Sequence, residues 1–217
     1  MGRLRYAMGI AMTSFLVGCA TLSPFNPSSG AAGQPAPSAT DASAAQEGLA
    51  TFQKVINDKN YAALGFGSPD EVRRATLGQP LPIFRVGLDA LNASTPQTNP
   101  NTLLVDARRR LYPVEVDRRV ATSIFVTQAS DGWRATDLGS AAVARAVTRY
   151  RTEPSDFIVH VPALKVYFVA RRTQGALMLT PVVDDPRLGF KAGDPLPAAD
   201  AFAALQKAAQ GYNGLPQ

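Results

Sequence analysis

One cysteine, Cys19, occurs in the 217 residues. With no partner for an internal disulfide, whatever folds downstream must be held by an apolar core, and only a long stretch of mixed sequence can supply one. The stretch from Gln46 to Gln217 is long enough, as a single domain or as two small subdomains. The stretch before it is not built for burial. From Thr21 to Ala45 the chain reads TLSPFNPSSGAAGQPAPSATDASAA, which cannot bury enough apolar surface to offset an ordering cost of about 1–2 kcal/mol per backbone residue. Residues 19–45 therefore read as a disordered tether. Its flexible reach is roughly 25–30 Å, extended by Pro24, Pro27, Pro35 and Pro37.

Residues 1–18, MGRLRYAMGIAMTSFLVG, carry Arg3 and Arg5, no acid, and an apolar run from Tyr6 to Val17. That is the form of an export signal, and about a dozen apolar residues fall short of the roughly twenty needed to cross a hydrocarbon core. The four residues Leu16-Val17-Gly18-Cys19 resemble the lipobox of bacterial lipoproteins. The resemblance implies cleavage between Gly18 and Cys19, a diacylglyceryl group of palmitate type on the thiol, and acylation of the new amine. At about 0.8 kcal/mol per buried methylene, several chains on one cysteine hold firmly to a membrane. Ala20, where Asp would signal retention, implies forwarding to the cell outer membrane, facing the periplasm; a Gram-positive surface fits the same lipobox.

Loss of the signal lowers the basic residues from 22 to 20 against 17 acids, so the formal charge drops from +5 to +3. So mild an excess points away from nucleic acid, whose binders concentrate charge on one face. It leaves three partners: the membrane through the lipid, an envelope protein, or an anionic glycan. Of the 22 basic residues 17 are arginines, bunched at Arg73-Arg74, Arg108-Arg109-Arg110, Arg118-Arg119 and Arg171-Arg172. Guanidinium groups suit planar acceptors, so Arg108, Arg109, Arg110, Arg118 and Arg119 form an anion-binding rim if they meet at hairpin ends. Alternation along a strand would instead disperse them.

Leu49, Phe52, Val55 and Ile56 share a helical stripe that opens the domain, and Ser68-Pro69-Asp70-Glu71 has the form of a capping box for a short helix stopped by Gly78. Extended segments are expected over 82–88 and 103–105, then as an antiparallel pair over 111–116 and 120–127, with Asp131-Gly132 turning into 133–138. A helix follows over 141–151 from Ser140, then strands over 157–161, 163–171 and 176–183. A final helix is marked by Ala201, Phe202, Leu205, Ala208, Ala209 and Tyr212, with Gly214 as its stop. This order argues an α+β fold, a curved antiparallel sheet of hairpins with amphipathic helices packed on one face. Two G-x-P-L-P segments, at Gly78 and Gly193, hint at a duplication.

The lone histidine, His160, lies on an alternating strand, and no G-x-S-x-G elbow accompanies it. One histidine and one lipidated cysteine cannot supply a nitrogen and sulfur metal site, and Asp184-Asp185-Pro186 reads as a turn rather than a Ca²⁺ loop. Glu115, Asp117 and Asp137 have no assigned role, and Trp133 is expected to cover the sheet. No catalytic residue, metal or cofactor is assigned. The leading expectation is a lipid-anchored, non-catalytic binding or scaffolding domain for a protein or anionic glycan. The alternatives are an envelope-polymer hydrolase of uncommon type, using carboxylates and His160, and a cystatin-like or propeptide-like inhibitor module. Mass spectrometry of the chain from membranes should find an acylated N-terminal Cys19, and Cys19→Ser should leave the uncleaved precursor mass.

Overall fold

The first helix starts inside the stretch that the sequence assigns to the tether. Helix α1 spans Asp41–Val55. Thr40 caps it: its side chain accepts from the Ser43 N–H at 3.1 Å, while Ser43 Oγ accepts from the Thr40 N–H at 3.3 Å. Ala44 and Ala45 are buried beside Leu49 and Phe52, whereas Val55 is exposed. The small-residue run is thus packed rather than solvated. Gly48 lies against Ala135, where an added Cβ would come within 2.7 Å of the alanine methyl, so small residues are what let this helix sit close to the sheet. The computed structural model describes residues 40–210. Gly18, Cys19, the tether up to residue 39 and Gly214 lie outside the described residues.

Helix α2, Pro69–Arg74, has the expected Ser68 cap, Ser68 Oγ accepting from the Glu71 N–H at 3.3 Å. It ends before Gly78 because the chain turns into β1, Thr76–Leu77. Strand β2, Leu81–Arg85, stops short of Leu88, which opens helix α3, Leu88–Ala93. Six residues are too few for a helical period to show, yet Leu91 is wholly buried. Residues Pro100–Leu103 form a 3-10 turn, started by Asn99 Oδ1 accepting from the Asn101 N–H, so the strand expected at 103–105 begins later. It is β3, Val105–Val116, and it pairs with β4, Arg119–Ala129, through a two-residue turn at Asp117 and Arg118, both at positive φ. Then come β5 (Gly132–Leu138), α4 (Ala141–Tyr150), β6 (Phe157–Val161), β7 (Val166–Thr173), β8 (Ala176–Pro181), β9 (Leu196–Pro197) and α5 (Ala198–Gln210).

The strands form one sheet in the order β5-β4-β3-β2-β6-β7-β8-β9, with β1 beside the far end of β3. Neighbours are antiparallel except β2 and β6, which run parallel at the centre. Each of these two strands opens a four-stranded meander that ends in a helix: β2 to β5 then α4, and β6 to β9 then α5. The G-x-P-L-P segments lead into β2 and β9, the first strand of one meander and the last of the other. They do not occupy equivalent places.

The α+β class and the antiparallel hairpins are as the sequence leads one to expect, and the sheet is mixed and not strongly curled. Its helices are divided between both faces rather than gathered on one. On one face Val159, Phe168, Ala170 and Leu179 pack with Phe202 and Leu205 of α5, and Tyr112, Ile124 and Val126 pack with Leu49 and Phe52 of α1. On the other, Ile83, Leu111, Ile158 and Val169 pack with Val147 of α4. The cause is legible in β6 and β7, where successive residues are apolar; a strand that is greasy on both sides needs cover on both. Phe168→Ala should cost about 3–5 kcal/mol in urea unfolding. A fragment begun at Gln46, lacking the cap, Ala44 and Ala45, should unfold at clearly lower urea than one begun at Thr40.

Candidate functional site

The arginine clusters do not converge. Between Ile83 and Phe84 the β2–β3 register shifts, and Arg108 sits on the resulting irregularity at φ +50°, its N–H donating to Asp106 Oδ1 at 2.8 Å. Arg109 and Arg110 then point to opposite faces. Arg109 stacks over the Phe125 ring at 4.1 Å and pairs with Asp137. Arg110 reaches Asp106 and lies over Trp133, which does help cover the sheet beside α1. Arg118 is exposed in the tight turn at the other end of the hairpin, roughly 30 Å away along the strand. Arg119 is tied to Glu71 and to the Gly65 carbonyl, and Glu71 in turn accepts from the Gly67 N–H at 2.7 Å. In place of the expected rim, Arg109, Arg110 and Arg119 form three separate ion pairs, and Arg108 and Arg118 form none among the described residues, because alternation and the shifted register separate what the sequence places side by side.

His160 stacks on Tyr167, ring centroids 4.0 Å apart, with Arg109 near both. Burial, helped by the Arg109 charge, pushes its pKa down to about 4. The buried carboxylate closest in sequence, Asp156, precedes the opposite end of β6, so no acid–base pair forms between them. Asp184 and Asp185 shape a turn as expected: Asp184 Oδ1 accepts from the Ala192 N–H at 2.8 Å, and Asp185 holds Arg187.

A half-open cleft of about 380 Å³ lies where the end of α4 meets β7 and β8. Its floor is Val169 and Met178, its walls carry Tyr150, Thr152, Thr173 and Thr180, and Gly193 closes one side. Gly193 has φ +85° and faces the Tyr150 ring at a distance no Cβ could share, so both backbone and space require glycine there. Arg149, exposed on α4, forms no ion pair among the described residues. Arg171 is held by Asp156, which is wholly buried. Burial alone would push the Asp156 carboxyl up, but bonds from Arg171 and from the Thr152 and Glu153 N–H groups reverse this and hold it below the usual carboxylate range. A second cleft of about 250 Å³, between α5 and the loop from Ser94 to Leu103, is lined by Phe202, Gln206 and Asp200 and contains no cation.

Of the clustered arginines singled out in sequence, the larger cleft uses Arg171 alone, joined by Arg149 from the exposed side of α4; the central arginines are elsewhere. Asp156 and the three threonines carry no sequence pattern of their own. The one available signal is an acid in Glu153-Pro154-Ser155-Asp156, directly before an apolar strand. Compared with family models, curated proteins and solved structures, the chain matches none of them.

Two acid-sensitive groups give separate windows. Folded His160 stays neutral to about pH 4 while an unfolded histidine takes its proton near 6.5, so stability that is full above pH 6.5 should fall as pH drops toward 4. Asp156, depressed in the fold, should add a further loss below the ordinary carboxylate pKa of about 3.9. Urea unfolding across pH 3–7 should show both losses, and His160→Gln should flatten the first.

Proposed function

We propose that this chain is a lipid-anchored cell-envelope protein, carried at the outer membrane and facing the periplasm, whose folded domain is a non-catalytic binding module for an anionic glycan. The anchor rests on Leu16-Val17-Gly18-Cys19 and on the basic and apolar stretch before it. The ligand class rests on one observation. Arg149, without a carboxylate partner among the described residues, stands beside Arg171 over a cleft walled by hydroxyl groups.

That combination suits a saccharide with negative charge. Thr152, Thr173, Thr180 and Tyr150 offer both donors and acceptors, as sugar hydroxyls require, and Val169 and Met178 give an apolar floor for the C–H face of a ring. At about 380 Å³ the cleft lies at the small end of ligand pockets, which run from roughly 300 to 1,000 Å³. It fits the end of a chain better than its middle. About twenty residues separate Cys19 from helix α1, long enough to carry such a module clear of its membrane.

Immobilised acidic polysaccharide should retain the protein at low salt and release it as salt rises, while a neutral polysaccharide of the same length should not. Arg149→Gln should weaken retention about tenfold with little change in thermal stability, since the side chain is exposed, forms no ion pair among the described residues, and touches only the Tyr150 ring, 5.6 Å away. Equal retention on acidic and neutral polymers would sink this reading.

A further inference from the structure

One cation in the cleft is fixed before any ligand arrives. Arg171 donates from Nε to Asp156 Oδ1 and from Nη2 to Asp156 Oδ2, both at 2.8 Å. Asp156 Oδ2 also accepts from the Thr152 and Glu153 N–H groups at 2.9 and 3.0 Å. Arg151 fastens the same loop from its other side, donating to the carbonyls of Gln79, Glu153 and Pro154. The guanidinium of Arg171 therefore cannot swing away without costing a buried carboxylate its counter-charge and two of its four hydrogen bonds. Its Nη1 is left outside the pair, on a group that lines the cleft together with Arg149.

Arg149, Arg171 and Asp156 together leave one net positive charge at the cleft. On the loop, Arg151 and Glu153 add one charge of each sign and leave that balance unchanged. This balance suits a single negative charge and opposes a dianion. With Nε and Nη2 engaged by Asp156, Arg171 offers a ligand one nitrogen only, which together with the Arg149 guanidinium meets the two oxygens of a carboxylate.

Resting on the glycan reading above, we propose that the cleft recognises the carboxylate of a terminal acidic sugar. Nη1 of Arg171 and the guanidinium of Arg149 grip the carboxylate, and the threonine hydroxyls meet the ring hydroxyls. Asp156 is a positioning residue, acting on the ligand through Arg171. Phosphate-bearing sugars, close to dianionic, are discriminated against by charge. Preorganisation supplies the selectivity, because the Asp156 bonds themselves order Arg171.

The test is calorimetric titration of the full lipidated chain in detergent micelles with digalacturonate, its dimethyl ester, and galactose 6-phosphate. The acid should bind at least about tenfold more tightly than the ester, a difference near 1.4 kcal/mol, and the phosphate should bind no better than the ester. Arg171→Lys keeps a positive charge on Asp156 but has no second nitrogen to hold toward the ligand, so the acid-to-ester ratio should fall several-fold; loss of stability alone would weaken both ligands equally. Arg149→Gln, at an exposed position, should weaken the acid about tenfold and leave the ester unmoved. Equal binding of acid and ester, or tighter binding of the phosphate, overturns the carboxylate assignment and leaves the glycan reading standing. Failure of all three sugars and of acidic polysaccharide overturns both.

Discussion

The parallel pairing of β2 with β6 joins the two halves of this molecule. Ile83 meets Ile158 on one face and Phe84 meets Val159 on the other, so this pair contributes to the apolar clusters beneath α4 and beneath α5 at once. Each meander by itself has one helix from its own end and an open central edge. Bringing β2 and β6 together closes that edge in both and completes both layers of cover. The helices stand on opposite faces because the two meanders run away from a shared parallel pair, not from a hairpin.

The cleft follows from the same arrangement. Helix α4 leaves the outer strand β5, crosses the face that β2, β6 and β7 share, and ends at Tyr150 above β7 and β8 of the second meander. The return to β6 must then be made in a short loop with few apolar residues. Arg151 and the buried Asp156 hold that loop by bonds to main-chain groups and to Arg171. A cleft formed between the first meander's helix and the second meander's strands is lined by residues far apart in sequence, Arg149 and Gly193 among them.

That distance explains what could be seen in the sequence. Periodicity and turn chemistry located α2, α4, α5 and the hairpins, because these depend on neighbours: Ser68 before Pro69, Asp117 and Arg118 between apolar runs, Gln174-Gly175 between β7 and β8. They did not locate α3, which lacks a side-chain cap and is held from outside by Gln206 of α5 donating to the Ser94 carbonyl at 2.9 Å. The start of α1 was hidden because alanine and serine read as tether until a sheet surface receives them. The grouping of arginines misled for a related reason. Adjacency in sequence is separation in space on a strand, and what Arg109 and Arg119 meet, Asp137 and Glu71, comes from other elements. Asp156 would need its burial to be known before its role could be.

The central parallel pair also bears on how such a chain reaches its shape. Every protein emerges from its N-terminus, and β2 is made some seventy residues before β6, with β3, β4, β5 and α4 between them. The first meander can close its hairpins locally and quickly, but the inner edge of β2 stays unpaired until β6 arrives, and long-range pairings of this kind form late. During that interval an apolar, two-faced strand edge is open to any passing extended segment. The sheet is thus most exposed to wrong pairing when half made, at a strand that is paired along both edges when complete.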